Sequence, residues 1–177
     1  PVLAVISNVS FDEDGSGSLS LSASDVDDGD SATFSISGGT DIAATLTGSD
    51  LSFSAPENFN GSETFTASVT DGGNLSDSQS FTVTVNAVND APVAATGLSG
   101  TADEDGSVVI TLSGSDVDGD NLTFALDSDA GSGSVSISGS FATYTPDANY
   151  NGADSFSFSV SDGEISDVAS VSLTVNP

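Results

Sequence analysis

The chain has 177 residues, 27 of them acidic and none Lys, Arg or His, so its formal charge of −27 cannot be offset by ion pairs between side chains. With no Cys there is no disulfide framework, thiolate metal site or cysteine nucleophile, and without His, Lys or Arg there is no serine-protease-type triad, Schiff base or phosphate clamp. Binding of nucleic acid or anionic lipid by counterion release is excluded on the same ground.

The residues are nonetheless 36% hydrophobic with 10 Phe, enough for one or two small cores rather than a disordered polyanion. Taken in chain order, strands are predicted over residues 3–6, 19–23, 33–36, 45–47, 51–53, 65–69 and 81–85. Leu19 and Leu21, then Phe65, Ala67 and Val69, then Phe81, Val83 and Val85 alternate with Ser and Thr. The same alternation returns at Val108, Ile110 and Leu112, at Phe156, Phe158 and Val160, and at Val171, Leu173 and Val175. A period of two with one polar face marks half-buried strands. Seven short strands in about 90 residues argue for a Greek-key β-sandwich. No segment reads as a long helix, and no apolar run approaches the roughly 18 residues of a membrane span, so no membrane insertion is expected.

The chain is one unit written twice. "FDEDGSGSLSLSASDVDDGD" (11–30) recurs as "ADEDGSVVITLSGSDVDGD" (102–120), and "NFNGSETFTASVTDG" (58–72) recurs as "NYNGADSFSFSVSDG" (149–163). Asp14 maps to Asp105, Asp25 to Asp116 and Pro1 to Pro92, each 91 residues on. The expected fold is therefore all-β: two tandem seven-stranded sandwiches, 1–90 with its linker and 91–177. The dipeptides Asn60-Gly61 and Asn151-Gly152 read as turns with positive φ. The linker "VNAVNDAP" and the opening "PV" match, so a piece of a longer tandem array is expected.

The acids gather between strands: "DEDG" near the start of each copy, "DVD" after the second strand, "DG" after the sixth. A solvated turn accounts for any one cluster, but the recurrence of the set points to cations supplied from outside. Carboxylates, Asn amides and carbonyls are hard oxygen donors suited to Ca²⁺ or Mg²⁺, and many ligands on separate loops favour Ca²⁺. An EF-hand is excluded, because position 6 counted from Asp116 is Asn121 instead of Gly, and position 12 counted from Asp25 is Ile36. Ligands would have to come from several loops.

The order "DEDG", "DxDGD", "N[FY]NG", "SDG" and "VNxVNDAP" resembles the bacterial cadherin-like (tandem Ig-like, dystroglycan-type) repeats of large extracellular proteins, over essentially the whole chain. In cadherins, calcium lies between successive domains, held by acids of one domain, the linker and a DxD of the next. Carried over by motif, the resemblance implies an interdomain Ca²⁺ held by Glu13, Asp71, Asn86, Asn89, Asp90, Asp116 and Asp118. Half-sites are implied at Asp25 and Asp27, and at Glu104 and Asp162 together with Asp103 and Asp105. The linker's two Asn and one Asp are fewer charges than animal cadherin linkers carry. No Trp is present to support strand-swapped adhesion.

Three functions follow as expectations. The first is a calcium-rigidified extender or adhesive repeat of a secreted or cell-surface bacterial protein. Its partners would be neighbouring repeats of the same chain, like domains on other cells, or polysaccharide. The second is a calcium-dependent carbohydrate-binding module, which would need exposed rings where the chain offers only Tyr144 and Tyr150. A glycosidase, the third, would need two carboxylates flanking a groove, one raised in pKa by burial. Acids crowded on loops do not supply that, so no enzyme is expected.

Overall fold

A computed structural model describes residues 1–26 and 32–177. The chain divides into two compact units, Pro1–Val88 and Asn89–Pro177. The described residues contain strands and no helix.

Unit 1 contains β1 (Val2–Leu3), β2 (Val9–Asp12), β3 (Ser16–Ser20), β4 (Ala23–Ser24), β5 (Thr33–Gly38), β6 (Ala43–Thr47), β7 (Asp50–Ser54), β8 (Gly61–Thr70) and β9 (Ser76–Asn86). A four-stranded sheet in the order β2-β9-β8-β5 faces a three-stranded sheet in the order β3-β7-β6, and β1 pairs with β4. All ladders are antiparallel except β2 with β9, which is parallel. The alternation expected along residues 65–69 and 81–85 is the inward face: Phe65, Ala67, Val69, Phe81, Val83 and Val85 are buried against Leu21, Leu51 and Phe53. Three rings form its centre, Phe53 edge-on to Phe65 at 5.4 Å and to Phe81 at 6.0 Å, with Phe65 stacked on Phe81 at 6.1 Å. Gly39 completes this packing, since its φ is +77° and a Cβ there would lie 2.5 Å from Phe65 Cζ.

The strand expected over residues 3–6 is not continuous. β1 ends at Leu3, and the chain crosses between sheets before β2 begins at Val9. Crossing residues lose ladder partners, so other groups must satisfy their backbone. Ala4 N–H donates to the Ser22 carbonyl (2.8 Å), Ile6 N–H to Gln79 Oε1 (3.1 Å), and Asn8 Oδ1 accepts from Thr82 N–H (2.9 Å). Val5, freed from the inward face, is 91% exposed.

Unit 2 repeats the plan with β10 (Val93–Ala94), β11 (Ser99–Asp103), β12 (Val108–Thr111), β13 (Gly114–Ser115), β14 (Thr123–Ser128), β15 (Gly133–Ser138), β16 (Phe141–Pro146), β17 (Gly152–Ser161) and β18 (Ser166–Asn176). Its sheets run β11-β18-β17-β14 and β12-β16-β15, with β10 on β13. Phe156, Phe158, Val160, Val171, Leu173 and Val175 fill the core with Leu112, Ala142 and Tyr144. The unit 1 ring trio is not reproduced: Tyr144 stands in the place of Phe53 and Val171 in the place of Phe81.

Within each unit the strands define two ends. The entry end carries β1 or β10 and the turn after β8 or β17. The exit end carries the last residues of β2 and β9, or of β11 and β18.

Candidate metal centre

At the entry end of unit 2 three segments converge. After β13 the chain turns on Asp116, whose Oδ1 accepts the N–H groups of Asp118 (2.9 Å) and Asp120 (3.3 Å). This is an Asx-type turn, in which the short Asp116 carboxylate caps the backbone two and four residues on. Gly119, at φ +79°, closes it. From the segment that leads into β10, Asp90 N–H donates to Asp118 Oδ2 (2.8 Å), and the Asn89 amide donates to Asp162 Oδ2 (2.9 Å). Asp162, in the turn between β17 and β18, accepts from Glu164 and Ile165 N–H through Oδ1, both at 2.7 Å. The Asn89 amide, followed by these two N–H groups, holds the Asp162 carboxyl below the usual carboxylate range.

Carboxylate oxygens of Asp116, Asp118 and Asp120 lie within 4.8 Å of one another. Asp116 Oδ2 is buried and has no hydrogen-bond partner. A carboxylate oxygen withdrawn from water and given no donor is costly, and a hard cation is what would satisfy it. The donor set of carboxylates fits Ca²⁺ chemically.

At the entry end of unit 1, Asp25 and Asp71 stand where unit 2 has Asp116 and Asp162. Asp71 is buried, and its Oδ1 accepts from Gly73 N–H (2.8 Å) and Leu75 N–H (2.9 Å). The Pro1 nitrogen lies 3.0 Å from Asp25 Oδ2 and 3.6 Å from Asp71 Oδ2, which brings these two acids to one place. Asp27 falls outside the described residues.

Glu13 and Asn86 meet at the exit end of unit 1. Glu13 N–H donates to the Asn86 carbonyl (2.9 Å), Glu13 Oε1 accepts from Val88 N–H, and Oε2 is buried with no hydrogen-bond partner. Glu13 itself is 7% exposed. The Asn86 amide donates to Asp12 Oδ1 (3.0 Å), and Asn58 N–H donates to Asp14 Oδ1 (3.0 Å). Asp71, expected beside Glu13 and Asn86, is at the other end. β8 pairs Gly61 with Val85 and Thr70 with Ser76, so a 10-residue strand of roughly 30 Å separates Asp71 from Asn86.

Unit 2 shows the same division. Glu104 N–H bonds the Asn176 carbonyl (2.8 Å), the Asn176 amide bonds Asp103 (3.2 Å), and Asn149 N–H bonds Asp105 (3.2 Å), all at the exit end. Asp162, grouped with Glu104 by sequence order, is instead beside Asn89.

Sequence reasoning missed a matched pair of carboxylates that anchor the turn between β5 and β6 and its unit 2 counterpart. Glu63 accepts from Thr40 (2.9 Å), Asp41 (3.0 Å) and Ile42 (3.0 Å) N–H groups, those of Asp41 and then Thr40 doing most to hold its acid low. Its counterpart Asp154 accepts from Gly131 N–H (2.9 Å), Ser132 N–H (2.9 Å) and the Tyr144 hydroxyl (2.9 Å). Burial pushes the Asp154 acid up, yet N–H groups of Ser155, Ser132 and Gly131 with the Tyr144 hydroxyl bring it below its ordinary value. Their shared 91-residue offset was the available signal.

Neither tyrosine offers a free ring. Tyr144 is fully buried, and Tyr150 packs on the unit 2 core with its hydroxyl on the Ala153 carbonyl at 2.6 Å. Among the described residues, Phe141 at 54% is the exposed aromatic.

A family model described as Bacterial Ig domain matches the chain twice, over residues 1–84 and 89–174. No curated protein matches it. Among solved structures, human protocadherin-24 EC1-2 is 18% identical with a TM-score of 0.59, the match covering 90% of this chain and 87% of that one. Extracellular cadherin domains 3-6 of protocadherin gamma B2 are 20% identical with a TM-score of 0.54, covering 100% of this chain and 51% of that one. An endo-fucoidan hydrolase from glycoside hydrolase family 107 is 26% identical over 83% of this chain at a TM-score of 0.40, and the match spans 24% of that protein. The protocadherin likeness is one of fold: tandem Ig-like, cadherin-like sandwiches.

Proposed function

The chain belongs to the bacterial Ig domain family, two copies in tandem, and from that premise we propose that it is a calcium-binding, non-catalytic segment of a secreted or cell-surface bacterial protein, serving adhesion as an extender or adhesive module. Each repeat, 1–90 and 91–177, is one module of a stiffened series. The observation that carries the reading is the Asp116–Asp118–Asp120 cluster of unit 2, to which Asp90 is bonded through Asp118, with a buried Asp116 oxygen that lacks a donor; Asn89, bonded to Asp162, borders Asp90 in the chain. Bound calcium would supply positive charge there and replace the missing donor.

Glu13 and Asn86, which precede the linker at the exit end of unit 1, are the further ligands that the cadherin resemblance assigns to such a junction. Asp71 belongs in this reading with Asp25 as an entry-end half-site. Glu104, with Asp103 and Asp105, is an exit-end half-site for a following repeat. Domain motion is the default across a small interface, and shared cations oppose it by tying separate loops together. Partners are therefore neighbouring repeats first, then like domains or surface polysaccharide.

Thermal unfolding with calcium, magnesium and chelator tests the proposal. A ligand that binds only the folded state raises its midpoint, so calcium is expected to raise it well above magnesium and chelator. Equal midpoints in all three would reduce the clusters to solvated turns. Retention on a polysaccharide gel in calcium would favour the carbohydrate-binding reading instead.

A further inference from the structure

The two Asn-Gly pairs remain outside the metal reading; the turns expected at them lie just before, at Glu57-Asn58 and Ala148-Asn149, where Asn58 and Asn149 take positive φ. Asn60 and Asn151 are both exposed, each directly before the first residue of a long strand, β8 or β17. Neither glycine can be exchanged freely: Gly61 has φ +154° and Gly152 φ +136°, and a Cβ would lie 3.2 Å from Phe59 Cζ or 3.3 Å from Tyr150 Oη. The fold therefore fixes, after each Asn, the residue least able to shield its own backbone nitrogen.

Other asparagines are held. Asn8, Asn86, Asn89 and Asn176 have side-chain bonds, and the residues after Asn58, Asn74, Asn121 and Asn149 are Phe, Leu, Leu and Tyr. Among the described residues no side-chain partner restrains the amide of Asn60 or Asn151.

From this contrast we infer that Asn60 and Asn151 are sites of spontaneous deamidation in the folded protein. The backbone nitrogen of Gly61 or Gly152 attacks the Asn side-chain carbonyl carbon. A carbon–nitrogen bond forms to close a succinimide, and the side-chain nitrogen leaves as ammonia after taking up the proton lost from the glycine nitrogen. Water then opens the ring at either carbonyl, giving aspartate or isoaspartate. No oxidant or cofactor is needed. Each event adds a carboxylate to an exit-end loop that already holds the Asn58–Asp14 or Asn149–Asp105 bond.

The test is incubation of the whole chain at mildly alkaline pH, followed by digestion at aromatic residues and mass spectrometry. Asp-Gly isomerisation leaves mass unchanged, so the amide-to-acid mass gain isolates the asparagines. Gain at Asn60 and Asn151 is expected several-fold ahead of the other eight of the ten asparagines, and Asn60→Gln with Asn151→Gln should remove the accompanying acidic shift. Gain spread evenly, gain led by another Asn, or a folded chain that stays unchanged while the denatured chain converts would each overturn the inference.

Discussion

Replacing Asp116 with Asn separates metal binding from turn structure, because the two predict opposite signs. Asn keeps an Oδ1 to accept the Asp118 and Asp120 N–H groups, so the turn itself is retained. What disappears is a charge whose oxygens lie within 4.8 Å of two other carboxylates. At that separation each pair repels by about 0.9 kcal/mol in a water-like dielectric, before salt screening. In chelator the variant should therefore be more stable than the parent by up to about 1 kcal/mol, after screening. In calcium at about a hundred times its Kd, the parent gains about 2.7 kcal/mol, or roughly 10–20 °C for a domain of this size. The variant should forgo most of that gain. Urea titration and thermal scans of both proteins, each in calcium and in chelator, read the crossover. A variant less stable than the parent in chelator, with the parent's full calcium response, would refute the reasoning.

Phe65→Ala removes one ring, and with it two of the three ring contacts, of the Phe53–Phe65–Phe81 trio and should cost unit 1 about 3–5 kcal/mol, whereas Phe156→Ala, with no ring partner described, should fall nearer the low end; urea midpoints of the two variants compare them. Gly39→Ala, forced into positive φ against the Phe65 ring, should lower the same midpoint, and an unchanged midpoint would contradict the packing described. Glu63 has a lowered pKa, so its contribution to stability is complete above the unfolded value near about 4.3 and is lost as pH falls through the lower folded value. Glu63→Gln should accordingly flatten the acid side of a stability–pH profile, most visibly below about pH 4.

The core was legible because burial and strand period coincide: Phe81, Val83 and Val85 could only be an inward face with Thr82 and Thr84 outward. The break between Leu3 and Val9 was not, because its backbone is satisfied by the Gln79 side chain, which bonds Leu3 and Ile6 from more than 70 residues away in sequence. Asp71 was misassigned for a reason of direction. Motif order says which acids precede the linker, but β8 runs from the exit end, where the loop before it bonds Asp14, towards the entry end. An acid after β8 therefore joins Asp25, as Asp162 joins Asn89. Glu63 and Asp154 were hidden among strand residues, where a single carboxylate reads as surface charge until the N–H groups facing it are known.

The claim that calcium stiffens the tandem repeat is tested most directly by small-angle scattering of the whole chain at matched ionic strength, in calcium and then in chelator. A narrow distribution of long interdomain distances in calcium that broadens in chelator is the result expected. Identical distributions in the two conditions would contradict the account, whatever the affinity of the chain for the ion.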